Sequence, residues 1–155
     1  MAGRTHRYAV EIEWTGNTGE GTSRYDGYRR DHLIRSGGKT LEGSSDPAFR
    51  GDPARWNPEE LFVASASACH KLWWLHLCAV NGVVVERYVD RAEGEMIDDG
   101  DPGGRFTRIV LRPEATISAG DADLALKLHH QAHAKCFIAN SLNCPVEIEP
   151  RVTAA

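Results

Sequence analysis

The sequence predicts an α+β fold in which a mostly antiparallel sheet packs on two long helices, the whole forming one domain over residues 1–155. Three observations carry this. Strand-like and helical patterns run in the order β-rich, helix, hairpin, helix, strand, and do not alternate as a parallel sheet would require. The turn segment "DDGDPGG" (Asp98–Gly104) joins two β-rich runs, which makes a hairpin. The length of 155 residues, 41% hydrophobic and 26% charged, suits one domain with a real core and is too short for two comfortable ones.

Taken in order, "RYAVEIEW" (Arg7–Trp14) alternates as a strand does, and glycine-rich "TGNTGEG" follows it as a turn. "YRRDHLI" (Tyr28–Ile34) reads as a weaker strand. Arg35–Arg55, rich in Gly, Ser, Asp and Pro, reads as mainly loop. The first long helix opens at Asn57, a good N-cap, with Pro58 at the first helical position and Glu60 where a capping-box acid belongs. It runs to about Val80, where Asn81–Gly82 stops it. Val83–Ile97 and Arg105–Ser118 form the hairpin. A second helix runs from about Asp121 to Ala139, and Cys144–Val152 closes the chain as a strand.

Several function classes drop out at this level. A formal charge of −4 leaves no basic footprint for nucleic acid. His70, Lys71 and His76 break the longest apolar run, so no segment is expected to span a bilayer. The N-terminal stretch lacks the apolar core of a signal peptide, so a cytoplasmic location is expected. "GNTGEG" has the wrong glycine spacing for a dinucleotide fingerprint, and no cofactor is expected. Four cysteines in a reducing compartment point to free, catalytic or metal-bound thiols, not a disulfide framework.

Cys69 and Cys78 lie nine residues apart on the first helix, on opposite faces and roughly 13 Å apart along its axis. Cys69 shares its stripe with Leu72, Trp73 and His76. The small residues Ala64–Ala68 before it allow a second helix or a partner subunit to approach closely. On the second helix His129, His133 and Cys136 follow i, i+4, i+7 along one face. Cys136 is a candidate partner for Cys69 and Cys144 a competitor; periodicity does not choose between them. His129, His133, Cys136 and Cys69 also supply the ligand types and count of a zinc site. Phe62, Trp73, Trp74 and Phe137 read as core. An apolar pocket without turnover is a third class, although binding alone needs no second thiol.

"NPEELFVASASAC" (Asn57–Cys69) resembles the active-site helix of the OsmC/Ohr family of hydroperoxide reductases: Asn-Pro-Glu, an apolar pair, a small-residue stretch, and a cysteine ten residues after the first acid. "KCFIANSLNCPVEIEP" is similar to that family's second cysteine and closing strand, with Cys136 in the cysteine's place. "EWTGNTGEGT" and "YVDRAEGEM" resemble its first strand and the strand after the helix, so the likeness covers nearly the whole chain.

The resemblance implies the OsmC-like fold as an intertwined homodimer. It implies an enzyme that reduces organic hydroperoxides with electrons from a dithiol, Cys69 being the peroxidatic thiol and Cys136 the resolving one. It also implies an arginine that favours the thiolate and is oriented by Glu59. Arg24 stands nearest to the family's position, with Arg50 the alternative. By itself Glu59 is an acid suited to the positive end of a helix. Ten residues of helix separate it from Cys69 by roughly 15 Å. Either Glu59 and its arginine serve the other subunit's Cys69, or the helix breaks between them.

Overall fold

The computed structural model describes residues 3–155. The chain divides into two compact units, Met1–Leu61 and Phe62–Ala155.

The first unit is an antiparallel meander of β1 (Glu11–Trp14), β2 (His32–Ser36) and β3 (Lys39–Gly43), in that order across the sheet. Each strand begins or ends a few residues from where alternation put it. β3 lies inside the segment read as loop. Its residues are too polar to advertise a strand, yet the left-handed Gly37 and Gly38 (φ 53° and 79°) form the two-residue turn that folds it back on β2. Charges do much of the holding here. The Arg55 guanidinium lies 3.8 Å from Asp31, 3.8 Å from Asp52 and 3.6 Å from Glu42. The Arg30 guanidinium donates to the carbonyls of Tyr25 and Tyr28 and lies over both of their rings.

Helix α1 spans Pro58–Val80 without a break. Its predicted cap is present in full: Asn57 Oδ1 accepts from the Glu60 amide at 2.8 Å, and the Asn57 amide donates to Glu60 Oε2 at 3.2 Å.

The second unit pairs most of α1 with a sheet of three bent strands. The hairpin is β4 (Val84–Asp90) and β5 (Glu93–Ile97) against β6 (Arg105–Leu111) and β7 (Pro113–Ala119). The closing strand, read as one run, is interrupted at Glu149–Pro150. It becomes β8 (Val146–Ile148), parallel to β6, and β9 (Arg151–Ala154), parallel to β7. The result is two three-stranded layers, β4-β7-β9 and β5-β6-β8, joined at a bend. Arg112 pins the bend: its side chain meets Glu93 at 2.8 Å and Glu149 at 3.0 Å, and its amide donates to Asp90 at 2.7 Å. The other carboxylate oxygen of Asp90 accepts from Ser67 of α1 at 2.5 Å.

Each layer has its own core. Ala115 and Ile117 of β7 pack with Trp74, Leu77 and Cys78 of α1 and with Ala125, Leu128 and Ala132 of helix α2 (Ala122–Lys135). Ile109 and Leu111 of β6 pack with Ala66 and, around them, Phe62, Phe106, Ile138 and Cys144. Gly94 of β5 lets the helix sit close, because a Cβ there would stand 2.5 Å from Val63. Helix α2 stops four residues short of the predicted Ala139. Cys136 takes an extended backbone (φ −68°, ψ 110°), and only a short 3₁₀ turn at Ala139–Ser141 follows.

Candidate active site

The bend leaves a seam between the two cores of the second unit, and both α1 and the end of α2 cross it. On α1, Ala66 belongs to one core and Trp74 to the other. Ala132 and Ile138 divide the same way around the end of α2. Cys69 and Cys136 fall between those landmarks, and the Cys69 thiol lies near enough to perturb the Cys136 thiol. The other two cysteines lie apart from this seam, each within one core. Cys144 packs in the Phe62–Phe106 core and lines an open groove of about 510 Å³ with those rings. Cys78 is buried in the other core, as its opposite-face position predicts, and burial raises its thiol to about 11.

The two paired thiols are not equivalent. Cys69 is half-buried, whereas Cys136 is 1% exposed. Burial pushes the Cys136 thiol up to about 11 and the neighbouring Cys69 thiol adds to the shift, against the Ala139 amide, which donates to its sulfur at 3.4 Å. Cys136 is therefore a protonated thiol at neutral pH, and Cys69 the one that solvent reaches. Trp73, one turn after Cys69, meets the edge of Phe137, the neighbour of Cys136, at 5.5 Å. Trp74 is core as predicted and Phe62 and Trp73 are half-buried, but Phe137 is 68% exposed. Past the end of α2 its side chain escapes the helix face that would have buried it.

On the same two segments lies a pairing that the sequence reading did not anticipate, although it singled out His129. His70 and His129 are 1% and 2% exposed, and His70 Nε2 stands 2.9 Å from His129 Nδ1. Trp74 stacks on His129 at 4.6 Å and donates its indole N–H to the Ala125 carbonyl at 2.9 Å. Burial holds both imidazoles neutral, lowering His70 to about 4 and His129 to about 3, with His133 beside the first and His130 beside the second adding to it. The signal was present: His70 lies four residues before Trp74, on the stripe of α1 that faces the core.

This pairing also corrects the zinc reading. His129 Nδ1 is engaged by His70, and the Cys136 sulfur accepts from the Ala139 amide. Among the described residues no group of three or more His, Cys, Asp or Glu is placed to hold a metal. The continuity of α1 removes the other alternative, a helix break between Glu59 and Cys69.

Glu59 and the arginines belong to the first unit. Glu59 Oε2 is buried and, among the described residues, has no hydrogen-bond partner. Arg24 and Arg50 line one open cleft of about 660 Å³, together with Arg29, Arg30 and Asp26. Arg50 is held there in a left-handed conformation, φ 64°, at the end of the turn Pro47–Phe49.

A two-layer bent sheet, two helices and a pair of unequal, unbridged thiols where the helices meet define a class: an α+β protein built around two free cysteines. Residues 51–151 match the family described as OsmC-like protein, and the chain belongs to that family. Among solved structures it is similar to an OsmC-like protein of unknown function from Vibrio cholerae, with 32% identity over 94% of this chain and 99% of that one and a TM-score of 0.84. It shares its fold with an organic hydroperoxide resistance protein from Legionella pneumophila (18% identity, 97% and 99% coverage, TM-score 0.66). The organic hydroperoxide resistance protein of Bacillus subtilis is a further match in fold (18%, 96% and 98%, TM-score 0.60). No curated protein matches in sequence.

Proposed function

We propose that this protein is a thiol-dependent peroxidase that reduces organic hydroperoxides in oxidative stress defence, the whole chain acting as a single OsmC-like domain within a homodimer. The observation that carries the reading is the unequal thiol pair: a half-buried Cys69 near a buried, protonated Cys136 whose thiol it helps to raise. The Cys69 thiolate attacks the terminal peroxide oxygen, the O–O bond breaks, and the alkoxide leaves as the alcohol after taking a proton. Cys69 becomes a sulfenic acid. Cys136, on losing its proton, attacks that sulfur; the S–O bond breaks, hydroxide takes the proton and leaves as water, and a disulfide forms. A dithiol then reduces the disulfide by two exchanges.

The elevated Cys136 thiol suits the second step, because it stays in reserve until a sulfenic acid stands beside it. A cation is needed to favour the Cys69 thiolate, and Arg24, oriented by Glu59, takes that role, with Arg50 the alternative. The unbroken α1 separates Glu59 from Cys69 along the helix, which favours Glu59 and Arg24 of one copy serving Cys69 of the other. Four free cysteines agree with a cytoplasmic setting. Among the described residues no helix is long and apolar enough to cross a membrane.

The Trp73–Phe137 edge makes the reading specific for organic peroxides. Burying an alkyl tail contributes about 0.8 kcal/mol per methylene, so four methylenes favour such a substrate by roughly a hundredfold, and hydrogen peroxide gains nothing. The test is peroxide consumption by the reduced protein. Cys69→Ser should abolish it, Cys136→Ser should stop at a trappable sulfenic acid, and Arg24→Ala should slow it where Arg50→Ala does not. Turnover retained in Cys69→Ser, or equal rates for cumene hydroperoxide and hydrogen peroxide, would overturn the reading or its substrate.

A further inference from the structure

We propose that the His70–His129 hydrogen bond is a positioning clasp, holding α1 and α2 in the register that brings Cys69 against Cys136. His70 follows Cys69 directly on α1. His129 lies seven residues before Cys136, two turns down α2, so the clasp and the thiol pair tie the same two segments at two levels. The inference extends the thiol-pair reading above, and it concerns how the pair is held, not what oxidises it.

Stability alone does not account for two imidazoles at this place. His70 Nδ1 and His129 Nε2 are buried with no partner among the described residues. Whichever imidazole donates the shared proton, one N–H and one lone pair are left unanswered, each costing about 1–3 kcal/mol. Two apolar side chains would fill the space without that penalty. An apolar contact slides, however, whereas a hydrogen bond at 2.9 Å fixes a distance. The orientation is fixed as well. Trp74 lies 13° from parallel with His129 and is itself anchored to the Ala125 carbonyl, while the two imidazole planes lie within 12° of each other with centroids 5.2 Å apart. Disulfide closure tolerates only a narrow range of Cβ separation and dihedral angle, so a small slip between the helices lowers the effective concentration of one thiol at the other.

The experiment needs no peroxide. The full-length reduced protein is equilibrated with reduced and oxidised glutathione, and the Cys69–Cys136 disulfide is quantified by mass spectrometry. In that exchange two protein thiols give two electrons and two protons to oxidised glutathione; its S–S bond breaks, two glutathione thiols form, and one protein S–S bond is made. His70→Leu and His129→Leu remove the clasp. His70→Gln and His129→Asn keep it, since the Gln amide stands where Nε2 stood and the Asn amide where Nδ1 stood.

The leucine variants should lower the exchange constant about tenfold, which for a two-electron couple raises the potential by about 30 mV. The two amide variants should stay within roughly threefold of wild type, on the scale of a retained hydrogen bond. A filler role would move the melting temperature and leave the exchange constant alone. If the leucine variants fail to fold, His129→Gln decides, because its amide sits one bond too far out and should weaken exchange where His129→Asn does not. Wild-type exchange in the leucine variants, amide variants as poor as leucine, or equal exchange in His129→Gln and His129→Asn would each overturn the clasp. A wild-type protein that forms no Cys69–Cys136 disulfide at all would instead remove the thiol-pair reading, and the clasp with it.

Discussion

The two units of this chain are held by different forces. Among the described residues every buried hydrophobic side chain lies in Phe62–Ala155. The buried residues of the first unit are Gly16, Asp31, Gly43, Ser44 and Asn57, while Ile12 and Trp14 of β1 and Tyr8 and Val10 before it are exposed. The second unit is packed like an ordinary core and carries the thiol pair. The first is organised by arginines: Arg55 among three carboxylates, Arg30 clipped by two tyrosines, Arg24 and Arg50 along an open cleft. The difference teaches that rigidity and charge are supplied by separate parts of one short chain. A thiol pair needs fixed neighbours; a cleft that presents guanidiniums needs none of that packing.

The sharpest way to break this contrast is at Trp74, which is 0% exposed and joins α1, α2 and Tyr88. Trp74→Ala should cost about 3–5 kcal/mol in chemical denaturation. A cost near 1 kcal/mol would mean that the second unit is not the stable one.

Acid comes next. His70 and His129 stay neutral in the folded chain, at about 4 and about 3, and take up protons near 6.5 when unfolded. Their neutral burial therefore contributes nothing against stability above pH 6.5, and stability falls as pH drops from there toward 4. Each contributes a slope of about 1.4 kcal/mol per pH unit. Denaturation at pH 6.5 and pH 5 should differ by roughly 2–4 kcal/mol, and the double variant His70→Gln, His129→Asn should lose most of that difference.

The smallest effect belongs to the first unit. Arg55→Ala removes three partly exposed ion pairs and should cost about 1 kcal/mol, shrinking at high salt. A larger, salt-independent loss would show that Arg55 acts by packing.

How much of this was legible in the sequence follows the same division. Helix α1 was readable to the residue because its signals are local: Asn57, Pro58 and Glu60 at one end, Asn81–Gly82 at the other. Strand β3 was not, because Lys39–Gly43 owes its conformation to pairing with β2 and not to its own composition. The end of α2 was missed since "CFIAN" keeps a helical pattern that Cys136 abandons in favour of its tertiary contacts. Cys69 was singled out through its spacing from Glu59, and its pairing with Cys136 stands as an expectation from family likeness. The His70–His129 bond was not found, because a pairing between residues 59 apart leaves no periodic trace.

The early stop of α2 has a practical consequence. Since Cys136 already sits in extended backbone, a new bond at its sulfur requires no helical turn to unwind. What it disturbs is one donor, the Ala139 amide, which points at that sulfur from 3.4 Å. That single backbone proton is a natural indicator of oxidation state: in a ¹⁵N-resolved spectrum its resonance should shift when the sulfur is bridged, while the amides earlier in α2 hold their places.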